Sequence, residues 1–169
     1  MDFIEELRSI KDGKDIKVFP SALLFSAQWS DLIEYRIKAN KGREVRWDNP
    51  NLSVSWEIEG SPLLTQFFCF RSFRDAMFKI WGDKVWDEPA MIMTDIIGKG
   101  SGLGRHQDHC PQIHWNIIGT SRWEITDLNG NRHSVIMNPG DIIFLPSWTY
   151  HGVTSLTSPR AGIAYSIKV

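Results

Sequence analysis

His106, Asp108 and His151 are the residues whose types and spacing offer the most chemistry. His106-Gln107-Asp108 sets an imidazole and a carboxylate two positions apart, and on a strand such residues share a face. His151 follows 45 positions after His106 and has to be brought back by the fold. Two histidines and one carboxylate on one face of an ion suit Fe(II). They leave the opposite coordination positions for a co-substrate and dioxygen. A closed structural zinc site takes four protein ligands, and no fourth is evident here. The spacing alone has a plainer reading, a surface histidine paired with a neighbouring aspartate.

The flanks favour the metal reading. Upstream, the glycine-rich run 98–104 delivers the chain flexibly into the motif. Downstream, Asn138-Pro139-Gly140-Asp141 is a tight turn. It feeds the apolar strand Ile142-Ile143-Phe144-Leu145, which stops at Pro146 shortly before His151. Gly119 stands 13 residues after His106 and Trp123 stands 17 after it. With these features, residues 91–169 resemble the double-stranded β-helix core of Fe(II)/2-oxoglutarate oxygenases. They look most like the Jumonji-type hydroxylases and the related bacterial ribosomal-protein hydroxylases. The stretch from Asn138 to His151 is similar to their Pro-Gly-Asp…Pro…His block, which ends on the distal iron ligand. Residues 1–90 carry no such match.

The resemblance implies a co-substrate site, and there the chain departs from the pattern. Jumonji-type enzymes carry a Lys or Arg 15 positions after the first histidine, to pair with the far carboxylate of 2-oxoglutarate. This chain has Ser121 at that position, followed by Arg122. Neighbours on a strand face opposite sides, which disfavours Arg122 as a substitute. Arg160, nine positions after His151, matches the offset of the basic residue in the prolyl-hydroxylase-like branch. Its planar fork suits a bidentate carboxylate. The other reading of Arg160 is a solvated arginine after a Ser-Pro turn. Ser166, six positions further along the same strand face, is a candidate to share that carboxylate. Gln112, six after His106, matches a polar co-substrate contact of the related enzymes. Asn116 and His114 share its face and line the pocket, although His114 reads equally as a hydrogen-bonded core histidine. Related halogenases carry a small residue where Asp108 stands, so this carboxylate points to hydroxylation or demethylation.

The composition is that of a chain with a full core: 42% of its 169 residues are apolar, including eight Trp and nine Phe. Nineteen basic and twenty acidic residues leave a net charge of −1, which gives no electrostatic argument for nucleic acid. Cys69 and Cys110 do not make a disulfide framework, and a reducing, cytoplasmic setting is expected. Cys110, four positions after His106, reads as a residue approaching the iron or, in preference, as a small buried residue. The acidic N-terminus is unlike a secretory signal, and no run reaches the roughly 18–20 apolar residues of a membrane span. His109 reads as a spare ligand or, in preference, as a solvent-facing residue at the turn before Pro111; His133 is expected in solvent, and Asp141 is expected to hold backbone amides in its turn.

A short helix is expected over 2–10, strands over 16–25 broken at Pro20, and an amphipathic helix over 26–39. Strands are expected over 43–47 and 52–59. The clearest helix spans 62–81, with Ser61 as N-cap and Gly82 as stop. Its aromatic stripe should pack on the outside of a sheet, with Arg71, Arg74 and Lys79 solvated. From residue 90 the chain turns β-rich, with strands over 90–97, 112–118, 122–127, 133–137, 141–145, 151–155 and 162–168. Asp127 to Asn131 is a strong hairpin turn.

These elements predict a mainly β architecture with flanking helices, a barrel-like sandwich. The resemblance makes it a single cupin-like jelly roll over 1–169. About 1–89 supply N-terminal helices and supporting strands that pack on one sheet, and about 90–169 form the metal-binding core. It further implies a dioxygenase using Fe(II), 2-oxoglutarate and O2, with His106, Asp108 and His151 as metal ligands. Arg160, Gln112, Ser166, Asn116 and Ser121 are its candidate co-substrate residues. The substrate is expected to be a peptide or amino-acid side chain, or a small metabolite. A non-oxygenase cupin, isomerising or binding a small ligand, is the competing expectation. A third is an interaction protein with a vestigial site, which should have lost one of the three ligands.

Overall fold

The computed structural model describes residues 3–10, 13–23, 28–30, 42–45, 55–59, 68–85, 90–94 and 104–169. Helix α1 (Phe3–Ser9) is followed by strands β1 (Lys17–Phe19), β2 (Gly42–Val45) and β3 (Ser55–Glu59), then helix α2 (Phe68–Trp81) and β4 (Ala90–Thr94). The C-terminal part runs through β5 (His106–Gln107), β6 (Gln112–Ile118), β7 (Ser121–Thr126), β8 (Arg132–Met137), β9 (Ile142–Leu145), β10 (Tyr150–Ser155) and β11 (Arg160–Ser166). These strands form two antiparallel sheets. One has the order β1-β9-β6-β11-β4-β3-β2, and the other has β5-β10-β7-β8. The N-terminal strands β2 and β3 extend the larger sheet through β4, so the first part of the chain buttresses the core as expected.

Alternation along the strands sorts the two faces of the larger sheet. Ile113, Trp115 and Ile117 of β6 join Ile142 and Phe144 of β9 in a core with Phe73, Met77, Ile80 and Trp81 of α2. The aromatic stripe of α2 thus packs on the outside of a sheet, and Phe73 meets Trp115 and Tyr165 with ring centroids 5.4 Å apart. Leu7 and Ile10 from the N-terminal helix region close the same core. The opposite face of β9, Ile143 and Leu145, turns into the space between the sheets, where it meets Trp123, Ile125, Met137 and Val153. This second core is smaller, because the inward positions of β6 are polar: Gln112, His114 and Asn116.

The strands expected from residue 112 onward all form, with ends displaced by at most two residues, and the one expected over 90–97 is seen over 90–94, with 95–97 outside the described residues. The two-residue β5 is additional to the expected set, too short for any periodicity to register. The 26–39 helix falls outside the described residues apart from Gln28, which is not helical, and Trp29 and Ser30, which are. Helix 62–81 is seen from Phe68 onward, and 61–67 lie outside the described residues. The turns behave as their residue types require. Asp127 accepts the Asn129 and Asn131 amides at 2.9 and 2.8 Å. Asp141 accepts the amides of Ser21 and Asn138, both at 2.7 Å, and so staples the N-terminal segment to the β8–β9 turn.

Candidate metal centre

Strand β5 lies at the edge of the smaller sheet and pairs with β10, with His106 directly opposite His151. That register brings together two residues that are distant in sequence, and their ring centroids sit 4.4 Å apart. Asp108 lies one residue beyond β5, and its carbonyl accepts the Trp148 amide at 2.7 Å. Its carboxylate Oδ2 is 3.7 Å from His151 Nε2 and 4.0 Å from His106 Nε2. One ligand atom from each of the three residues falls within 4.8 Å of the others, a spacing that a single ion can bridge.

Backbone groups aim the imidazoles. His106 Nδ1 donates to the Gly104 carbonyl at 2.9 Å, and His151 Nδ1 donates to the Thr149 carbonyl at 3.0 Å. A proton held on Nδ1 leaves the Nε2 lone pair of each ring for the shared point, which is how metal-ligating histidines are commonly oriented. Trp123 stacks on His151 at 5.7 Å and 17°, fixing the plane of the ring. Burial is the main cause pushing the His151 pKa below its usual value, reinforced by His106 and opposed by the Thr149 hydrogen bond and Asp108. Burial thus favours the neutral ring, the form a metal requires.

A small cavity is lined by His114, Trp115, Asn116, Trp123, Met137, Arg160, Gly162 and Ile163. None of the three ligands lines it, but the His114 and Trp123 rings lie 6.1 and 5.7 Å from the His151 ring. Arg160 is 6% exposed, so it is not the solvated arginine of the plainer reading. Its Nε has no hydrogen-bond partner, and no carboxylate among the described residues pairs with it. Burial alone pushes its pKa down to about 10, so it remains a cation at neutral pH. An unpaired buried cation is costly unless a ligand supplies the counter-charge. The donor set of the triad and this orphaned guanidinium therefore fit a metal with a carboxylate-bearing ligand.

The other candidates separate into two groups. Asn116 faces the cavity, but its amide nitrogen is occupied by the Gly119 and Met137 carbonyls at 2.6 and 3.4 Å. Ser121 is fully buried, and its Oγ accepts the Trp123 indole N–H at 3.1 Å. Arg122 beside it is exposed, as the alternation required. Gln112 and Ser166 pair with each other across β6 and β11, Ser166 Oγ lying 2.9 Å from Gln112 Nε2. This pair stands near Cys110 at the opposite end of β11 from Arg160. Six residues of strand span roughly 20 Å, so Ser166 cannot share one carboxylate with Arg160, and that expectation is corrected. Cys110 is buried as a free thiol, His109 and His133 are exposed, and Asp141 is structural.

Backbone contributors escaped the sequence reading: the carbonyls of Gly104 and Thr149 and the amide of Trp148. Every residue has these atoms, so no residue type signals them. His114 is a different case, because its type was visible and its environment was not. Its Nε2 is buried without a partner, and its ring lies 4.8 Å from Trp123 and 6.1 Å from His151. Burial first, then His151, Arg160 and His106, hold its pKa well below the ordinary imidazole value.

Two antiparallel sheets closed over a metal-sized cluster make this a cupin-like double-stranded β-helix, and solved structures share it. The E. coli protein YcfD superposes with a TM-score of 0.72 at 10% identity, over 95% of this chain and 52% of that one. A Pseudomonas putida prolyl-4-hydroxylase gives 0.64 at 11% identity, over 98% and 99% of the two chains. A Bacillus subtilis oxalate decarboxylase gives 0.51 at 13% identity, over 76% and 28%. Another YcfD structure, described as a ribosomal oxygenase, holds cobalt and 2-oxoglutarate (TM-score 0.67, 10% identity, 92% of this chain and 48% of that one). The chain spans about half the length of YcfD. No family model and no curated protein matches the sequence.

Proposed function

We propose that this chain is an Fe(II)- and 2-oxoglutarate-dependent dioxygenase that hydroxylates a C–H bond. The substrate would be a peptide or amino-acid side chain, or a small metabolite. One observation carries the reading: a His-Asp-His cluster beside a cavity in which Arg160 is buried and unpaired. In this reading His106, Asp108 and His151 hold the iron, and Arg160 binds the far carboxylate of 2-oxoglutarate. Iron bound there would supply reduction of dioxygen coupled to two oxidations: one oxygen atom goes into succinate as 2-oxoglutarate loses carbon dioxide, and the other into the substrate hydroxyl. The protein's part is geometry and exclusion of water. The Gly104 and Thr149 carbonyls keep both rings aimed, Trp123 keeps His151 flat, and Trp123 and Met137 wall the cavity. The low cysteine count and the buried free Cys110 support a cytoplasmic setting. Among the described residues, no helix is long and apolar enough to cross a membrane.

Anaerobic titration of the protein with Fe(II) and 2-oxoglutarate tests the reading. The expected result is a weak visible charge-transfer band, and succinate once air is admitted. The fold shared with oxalate decarboxylase supports a second reading, a metal-binding cupin that is not an oxygenase. Metal uptake with neither band nor succinate would favour that one.

A further inference from the structure

We propose that His114 is a second anchor for the co-substrate, its Nε2–H donating to a carboxylate of a five-carbon 2-oxo diacid held between the metal triad and Arg160. This rests on the reading above and goes beyond it, because it gives recognition to a residue outside the metal ligands and the arginine.

Position comes first. His114 occupies the middle of the inward face of β6, between Gln112 and Asn116. Its ring is 6.1 Å from His151 on one side, and it shares a cavity wall with Arg160 on the other. It therefore stands next to both a metal ligand and the buried guanidinium.

Hydrogen-bonding capacity comes second. The oxygens of a carboxylate accept, so the cavity has to offer donors. The Trp123 indole N–H is spent on Ser121, and the Asn116 amide nitrogen is spent on two carbonyls. What Asn116 has left is Oδ1, an acceptor, which an anion does not seek. Arg160 Nε and His114 Nε2 remain as buried nitrogens without a partner on this wall, and the imidazole donates from Nε2 when its proton sits there. No protein group satisfies this buried nitrogen, so it is open to a ligand oxygen. A neutral donor beside a cation also fits the charge balance. Triad carboxylate, iron and a dianionic ligand already come close to neutrality with Arg160, and a second cation would oppose iron binding.

Calorimetry on Zn(II)-loaded protein, which binds without turning over, compares 2-oxoglutarate affinity in wild type, His114→Phe, His114→Gln and Arg160→Met. Losing one hydrogen bond to a charged oxygen should weaken binding roughly 10-fold in His114→Phe. His114→Gln, whose amide N–H replaces the donor, should recover most of that. In wild type, the His114 Nε2 resonance in 15N spectra should move as 2-oxoglutarate is added. Wild-type affinity in His114→Phe, with loss confined to Arg160→Met, overturns the role of His114 and leaves the co-substrate reading standing. A stationary His114 resonance in wild type that binds 2-oxoglutarate does the same without any variant. No binding to wild type overturns both.

Discussion

Arg160 carries a conflict that only a ligand resolves. Its guanidinium is charged, almost wholly buried, and lacks a partner at Nε. Removing an unsatisfied buried donor removes its desolvation cost, about 1–3 kcal/mol. Arg160→Met, similar in length and apolar, should therefore leave the ligand-free protein as stable as wild type or raise its denaturation midpoint. Its affinity for 2-oxoglutarate should fall at least tenfold, the loss expected when a charge-assisted pair is broken. A midpoint well below wild type would instead make Arg160 a structural residue. The three residues stood out in the sequence through their flanks, the glycine-rich run before His106 and the turn and apolar strand before His151, since the spacing alone has a plainer reading. Arg160 was legible only as an offset, and nothing in the sequence separated a buried arginine from a solvated one. His114 had two readings until its unpartnered nitrogen was seen. Types and spacings report candidates, whereas burial and partners belong to the packed state.

At the level of elements, turns decide where the site residues stand. Gly119 lies between β6 and β7 at φ 74°, a left-handed backbone that side chains with a Cβ rarely adopt. A Cβ there would collide with the Pro159 carbonyl, meet Thr157 Oγ1 at 2.7 Å and Arg160 Cα at 3.2 Å. The motif glycine is therefore a packing requirement of the loop that delivers Arg160 to its strand. Gly119→Ala should cost about 2–4 kcal/mol, since conformational strain and a backbone clash add. It should also weaken 2-oxoglutarate binding without touching the metal ligands, a result that chemical denaturation and calorimetry read separately. The β7–β8 hairpin offers a pH test away from the site. Asp127 is held well below the usual carboxylate range, chiefly by His133 and then by Asn131. A depressed carboxylate stabilises the fold above its unfolded pKa, near about 4. That stabilisation drains away as pH falls further. The melting temperature of wild type should exceed that of Asp127→Ala at pH 7, and the gap should shrink as pH drops below about 4. A gap that stays constant with pH would mean the hairpin gains nothing from the charge. Strand positions in this half were readable because alternation and turn residues agree. The two-residue β5 was not, although it carries His106.

On the scale of the whole molecule, the two sheets are held very differently. The larger one is backed by α2 and a core of large rings. The smaller one ends in β5, which is paired on one side only and has two residues in register. Hydrogen bonding of that length is weak, and His106 is brought to the site by it together with the Gly104 carbonyl. An ion shared by His106, Asp108 and His151 joins this edge to β10 at the point where the register pairs the two histidines. Binding only to the folded state stabilises it by about 2.7 kcal/mol when the free ion is at 100 times its Kd. For a domain of this size that is a rise of roughly 5–10 °C in melting temperature. Adding Co(II) or Zn(II) to metal-free protein should produce such a rise, and excess chelator should reverse it. Asp108→Ala should abolish the rise and leave the metal-free melting temperature within a few degrees of wild type, because the Asp108 side chain is about one-third exposed. Hydrogen exchange should localise the protection to β5 and β10. If the ion raised the melting temperature equally in Asp108→Ala, or protected the larger sheet instead, it would be bound elsewhere and the three ligands would not act as one site.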